Sequence, residues 1–333
     1  MRIEHLDETE WRRALPDRGA EVFHRPEALA VLADHYPGEL RLLGGFKGDQ
    51  PVALLPAFVR ERSVGRIVTS PPPSFGVPRL GPLLMPTSPK QRKRERVTRR
   101  FTEGALDALD VDASLTLFRM LCPASYDDPR PYAWNDLEVR PEFTYRVDAA
   151  QGTEALMDGF SSSLRREIRD ARDLDVAVER EGIDGAMAIF ESTVDYFEQQ
   201  GEALGMPRAY VRDLFEALDE RARAYVVRGP DGEYLSGITV LYSGDAAYFW
   251  QGGVRADYEG TSVNSLVHWR IMADVATGEA PDVTHYDLVG ANTERLCEYK
   301  AKFGADVTPY YVVESGGTGM DLAKSVFRLA QSR

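Results

Sequence analysis

Two stretches of this chain are written to the same plan. An apolar run over residues 41–46, ending in Gly44, Gly45 and Phe46, passes through Lys47, Gly48, Asp49 and Gln50 into a second apolar run over 51–58. Residues 224–228 pass in the same way through Gly229, Pro230, Asp231, Gly232 and Glu233 into the run 234–242. Strand-length runs joined by a short turn of Gly and Asp form β-hairpins, because Gly accepts positive φ and Asp bonds the neighbouring backbone. Each hairpin follows helical sequence and precedes another helix and strand, so one α/β order is traversed twice. The fold class predicted is α/β (α+β): two tandem domains, residues 1–147 and 148–333, each a mixed central sheet flanked by helices. A chain of 333 residues suits two domains of about 150 residues. No Gly/Ser linker separates them, so the halves are expected to pack together around a cleft that can take substrate.

In the first half the spacing predicts helices over 27–35 and 88–109 and a strand over 114–118. The prolines at 71–73 and over 78–86 impose an irregular connection between them, since proline removes a donor and restricts its neighbour. Loops of that length often border a site. A strand over 142–147 leads into the second half. There the expectation is helices over 162–173, 183–200, 208–223, 261–276 and 293–303, with strands over 174–180, 246–254, 285–289 and 307–314. Residues 321–333 place Leu322, Val326 and Leu329 on one side and Lys324, Arg328 and Arg333 elsewhere, which reads as packing onto the domain, with surface attachment to a membrane the alternative.

Composition removes several classes. Forty Lys and Arg against 53 Asp and Glu give a net charge of −13, which opposes general affinity for nucleic acid, DNA included, and leaves only a local basic face to bind one. Lysine is scarce among the cations, a pattern that fits a halophile-like, acidic proteome and equally GC-rich coding. No run approaches the roughly 20 apolar residues of a membrane span, and the N-terminus carries charge where a secretory signal would be apolar. A soluble, cytoplasmic protein is expected. Cys122 and Cys297 lack ligand spacing and read as buried thiols. No metal site, nucleophile elbow, Walker loop or dinucleotide fingerprint is present.

Three segments can carry chemistry. Arg165, Arg169 and Arg172 fall on one face of a serine-capped helix, where guanidinium forks suit a phosphate or carboxylate; the alternative is a solvated face paired with Glu167 and Asp170. Tyr248, Phe249 and Trp250 run into Gln251, Gly252 and Gly253, where aromatics can wall an acyl pocket and glycines admit a ligand close to the backbone; the alternative is plain core. Lys300 and Lys302, two of six lysines in the chain, lie together near the end, where a lysine in a cleft can steady a developing oxyanion or hold a phosphate.

At that last segment the chain resembles the FemAB group, whose second GNAT domain carries a Phe-Lys-x-x-Phe-Gly pattern. Here Tyr299 stands for the first aromatic, and Lys300, Phe303 and Gly304 match. Arg165 and Ala171 in the serine-rich helix, the Gln251-Gly252-Gly253 strand end, Leu266 to Trp269, and Tyr286 to Gly290 follow the group's order, so the resemblance spans about residues 145–315. It implies a double-GNAT acyltransferase that forms an amide bond by transferring an amino acid from aminoacyl-tRNA to an amine, with no metal and no resident cofactor. It implies that Lys300 steadies the oxyanion or the donor's terminal phosphate, that Tyr248 and Trp250 line the groove, and that Arg208 with Tyr210 holds an anionic acceptor. Asp287 and His268 are the candidates for a base, with substrate-linked water the alternative; on its apolar helix His268 reads first as a satisfied core histidine. Two features depart from the group: residues 180–223 have no room for a helical arm, and residues 256–261 are not the Gly-rich loop that cradles CoA pyrophosphate. The acceptor class is a small or cell-envelope amine. The donor stays open between aminoacyl-tRNA and acyl-CoA, the second being an ordinary GNAT N-acyltransferase, and a non-catalytic double-GNAT scaffold is the remaining alternative.

Overall fold

The computed structural model describes residues 1–16, 19–85, 88–113, 115–290 and 293–316. The first half runs β1 (Arg2–His5), α1 (Glu8–Ala14), α2 (Pro26–His35), β2 (Glu39–Lys47), β3 (Gln50–Glu61), β4 (Arg66–Ser70), β5 (Leu83–Leu84), α3 (Gln91–Ala108), β6 (Thr116–Leu121), α4 (Arg130–Ala133) and β7 (Leu137–Asp148). The second runs α5 (Thr153–Gly159), α6 (Ser162–Arg172), β8 (Ala177–Glu181), α7 (Ile183–Gln199), α8 (Arg208–Leu218), β9 (Ala222–Arg228), β10 (Tyr234–Tyr242), β11 (Ala246–Gly252), the short β12 (Asp257–Tyr258) and β13 (Thr261–Ser262), α9 (Asn264–Thr277), β14 (His285–Asp287), α10 (Glu294–Ala301) and β15 (Asp306–Ser315). The predicted hairpins are β2–β3 and β9–β10. Residues 321–333 lie outside the described residues.

The two halves share one sheet rather than holding one each. Among the described residues its strand order is β1-β2-β3-β4-β6-β15-β7-β14-β11-β10-β9-β8, with β5 on β3. Read inward from either edge, the order is the same: three antiparallel pairs, then a parallel pair, β4 with β6 or β11 with β14. The sixth place is exchanged. The last strand of the first half, β7, pairs with β14, and the last of the second, β15, pairs with β6. β7 and β15 then pair with each other over ten residues, from Leu137↔Ser315 to Arg146↔Asp306. The repeat seen in the sequence is thus a pseudo-twofold in which each half completes the other's sheet.

Burial follows from that arrangement. One core joins the halves, with Trp11, Phe23, Leu29 and Phe58 packed in a common cluster with Tyr210, Leu214, Tyr248 and Trp250. Two further cores lie under the outer parts of the sheet, one around Phe101 and Phe118 of the first half with Val313 of the exchanged β15, the other around Phe160, Val267 and Phe303 of the second with Val147 of the exchanged β7. Each such side chain contributes about 1.5–3 kcal/mol on leaving water, so the shared core ties the halves firmly. Cys122 is buried as expected, but Cys297 is only half-buried, because it sits on α10, whose outer face is open.

Candidate active site

A parallel pair of strands that separates at its C-terminal end leaves a crevice in which backbone and helix N-termini face a ligand. The fold builds two such crevices. In the first half, β4 and β6 last pair at Ser70↔Met120, and the Pro-rich connection folds back into the gap. Leu80 N donates to Leu121 O at 3.0 Å, and Gly81 N donates to Ser70 Oγ at 3.0 Å. Leu80 is fully buried there, and a Cβ on Gly81 would meet Cys122 Cα and Leu121 O at 2.9 Å. This crevice is filled by its own chain.

The second crevice is open. β11 and β14 last pair at Tyr248↔Asp287, and β11 continues to Gly252 while the other strand turns away at residues 288–290. A bulge places Trp250 out of register, Thr239 facing Gln251 and Val240 facing Phe249; bulges re-aim side chains and recur beside active sites. The turn after β14 holds Val289 at φ 44°, a conformation that a β-branched residue adopts only under constraint. Lys300 supplies it: its buried ammonium donates to Leu288 O at 2.5 Å, to Val289 O at 2.6 Å and to Gly290 O. Asp287 Oδ1 accepts from Val289 N at 2.9 Å. Burial brings the Lys300 pKa down to about 8.

A cavity of about 540 Å³ opens beyond the separated strands. Its walls are Phe249 and Gly252 to Val254 from the end of β11, Asn264 and Ser265 from the first turn of α9, Thr193 and Tyr196 from α7, and Tyr299 and Lys300 from α10. Arg255, Arg295 and Lys302 bring positive charge to it, and Glu167 of α6 accepts from Ser265 Oγ at 2.8 Å. Gly252 is required at its place: at φ 97° its Cβ would lie 2.3 Å from Gly237 O.

A second constellation lies between the halves. Arg79, carried inward by the segment that fills the first crevice, is 1 % exposed and bonds Asp287 Oδ2 at 2.5 Å, with Glu21 Oε1 at 4.0 Å. Its guanidinium lies over the rings of Tyr248, at 5.1 Å, and Tyr310, at 5.3 Å. Tyr248 Oη donates to Glu21, and Thr144 Oγ1 donates to Asp287 Oδ1 at 2.6 Å. Burial opposes the Arg79 charge, but Tyr248, Asp287 and Glu21 outweigh it and hold the pKa well above the usual value. Burial pushes the Glu21 carboxyl up against the pull of Arg79, and burial with Glu21 nearby raises the Tyr248 phenol.

The residues singled out in the sequence therefore fall into three places. Lys300 lines the cavity, and His268 lies behind its wall among Phe249, Tyr286, Tyr299 and Phe303. His268 Nδ1 is 2.9 Å from Tyr286 Oη, and burial, with the Lys300 charge, lowers its pKa to about 3, a packed neutral ring. Tyr248 and Asp287 belong to the Arg79 cluster, and Tyr210, Trp250 and Gln251 stand beside it at the seam. Trp250 Nε1 donates to Gly76 O at 2.8 Å, the Tyr210 and Trp250 rings meet edge to face at 6.4 Å, and Gln251 Nε2 reaches Met206 Sδ at 4.0 Å. Arg165, Arg169 and Arg208 are on the surface outside the cavity; Arg208 pairs with Glu191 at 2.9 Å. Arg79, Glu21, Arg255 and Arg295 were missed. Arg255 stands two residues after the Gly pair, a position that could have flagged it.

Residues 159–301 match the family model described as an acetyltransferase (GNAT) domain, which covers the open crevice and not the filled one. No curated protein matches the chain. Among solved structures, FemX shares the fold at TM-score 0.72 and 12 % identity, over 99 % of each chain. L-PGS from Bacillus licheniformis does so at 0.55 and 13 %, over 98 % of this chain and 97 % of its own. A tandem GNAT protein from the clavulanic acid biosynthesis pathway gives 0.50 and 13 %, over 95 % and 99 %. The chain thus carries a GNAT acyltransferase domain over residues 159–301, within a tandem, FemAB-like GNAT fold.

Proposed function

We propose that the protein joins an acyl or aminoacyl group to an amine through an amide bond, with the activated donor seated in the 540 Å³ cavity. The observation that carries this is the contrast between the two crevices: the second ends in glycines, a helix N-terminus and three cations, whereas Leu80 and Gly81 fill the first. Phosphates of the donor would lie against Arg255, Arg295 and Lys302, since cations and helix N-termini both favour anions. The amine attacks the donor carbonyl, the tetrahedral oxyanion collapses, and the leaving thiolate or ribose oxygen takes the proton that the amine gives up. Lys300 places a positive charge in the wall where that oxyanion would form and holds the crevice open through residues 288–290. Tyr210, Tyr248, Trp250 and Gln251, buried at the seam where Asp287 anchors Arg79, would back the reacting groove rather than meet the acceptor.

The likeness to FemX and L-PGS favours an aminoacyl donor, and the resemblance to the FemAB group favours a cell-envelope amine as acceptor. The GNAT match over residues 159–301 favours acyl-CoA as a second reading. Calorimetric titration of the protein with acetyl-CoA and with aminoacyl-tRNA separates them. One donor is expected to bind, with affinity at least tenfold weaker in Arg255→Glu/Arg295→Glu; binding of neither donor, or affinity unchanged in the variant, would defeat the cavity assignment.

A further inference from the structure

The strongest local charge in this acidic chain plays no part in the site. From Lys90 to Arg100, seven of eleven residues are Lys or Arg and the one acid is Glu95. Residues 91–100 open α3, an 18-residue helix whose Phe101, Ala105 and Leu106 are buried against the first half's sheet. At 100° per residue, Arg92, Lys93, Arg96, Arg99 and Arg100 fall within about 120° of one another, on the side away from Phe101 and Ala105. All five are exposed. Arg99 has Glu103 at 3.5 Å, whereas Arg92, Lys93, Arg96 and Arg100 have no acid within ion-pair distance among the described residues. A solvated surface helix in a chain of net charge −13 would be expected to intersperse the two signs, and here the first half of the helix does not.

We infer that this face of α3 docks the protein on an anionic lipid bilayer. The apolar side of the helix is already committed to the core, so the contact is electrostatic and rests on the surface without insertion. The stripe is convex and straight, running about 12 Å along the helix axis, and a plane meets such a stripe along its whole length. Strand-tracking nucleic-acid binders present a groove, and α3 presents a ridge. Beside it, Trp134 is 59 % exposed with the Arg130 guanidinium 5.7 Å from its ring centre. Arg130 bonds Glu95 at 2.9 Å, which fixes the indole next to α3, and an exposed indole beside cations is suited to the headgroup layer. The inference does not depend on the acyl-transfer reading.

Co-sedimentation of the full chain with phosphatidylcholine vesicles, with and without phosphatidylglycerol, at low and high salt, tests it. The protein is expected to sediment with the anionic vesicles alone and to be released by salt. Losing two cations in Arg96→Gln/Arg100→Gln is expected to weaken binding about thirtyfold, while Arg96→Lys/Arg100→Lys retains it. These side chains are exposed, so the unfolding midpoint stays unchanged and reports that the variants fold. No binding to anionic vesicles at low salt, equal binding to neutral ones, unchanged binding in the Gln variant, or tighter binding of RNA through the same residues would each overturn it.

Discussion

Two buried histidines show how single residues set the response to acid. Burial lowers the pKa of His268 from 6.5 to about 3 and that of His24 from 6.5 to about 4. The unfolded chain takes up these protons below about pH 6.5 while the native one refuses them, so the unfolded state binds more protons and stability falls as pH drops through that window. Glu21 works the other way, its raised carboxyl binding a proton more readily in the native state. With two groups against one, wild type is expected to lose more stability between pH 6.5 and 4 than His268→Phe, as read from urea midpoints across that range; parallel profiles would show that His268 does not titrate as described. His268 was legible as a histidine on an apolar helix, and its aromatic surroundings explain why packing suits it better than proton transfer. Arg79 was not legible at all. Its meaning comes from residues about 60 before and more than 160 after it in the chain, and no local pattern encodes a partner that distant.

At the scale of elements, the hairpins and helices were readable because each is set by local periodicity and turn chemistry, and most observed ends fall within a few residues of the expected ones. The helix foreseen over 208–223 instead stops at Leu218, and β9 begins at Ala222; the junction is Asp219, Glu220 and Arg221, which suit the polar face of a helix as well as a turn and include no Gly or Pro to mark the end. β1 and α1 were passed over; four- and seven-residue elements carry too little pattern. The bulge at Trp250 and the glycine after it belong together. Gly252→Ala at the native φ of 97° both strains the backbone and drives its Cβ into Gly237 O and Ile189 Cγ2, 2.3 and 2.5 Å away, the backbone strain alone costing about 1–3 kcal/mol. Denaturant unfolding should register that loss, together with weaker donor binding, since the same residue forms the cavity wall. Loss of stability with donor affinity intact would separate the strand end from the site.

At the scale of the whole molecule, the sequence repeat announced two halves but could not announce that they trade their final strands, because hydrophobic runs do not name their partners. The exchange makes the halves one cooperative unit. Calorimetry should give a single transition whose van't Hoff and calorimetric enthalpies agree, and residues 1–148 alone should fail to fold, since β6 would expose an unpaired edge where β15 belongs. Two resolved transitions would contradict it. The trade also has a consequence in time. Multidomain chains commonly complete their N-terminal domain while the rest is still being synthesised. Here the first half must wait, its sheet open between β6 and β7, until residues 306–315 have left the ribosome and slid into the gap. The last described strand to be made therefore lies at the middle of the finished sheet.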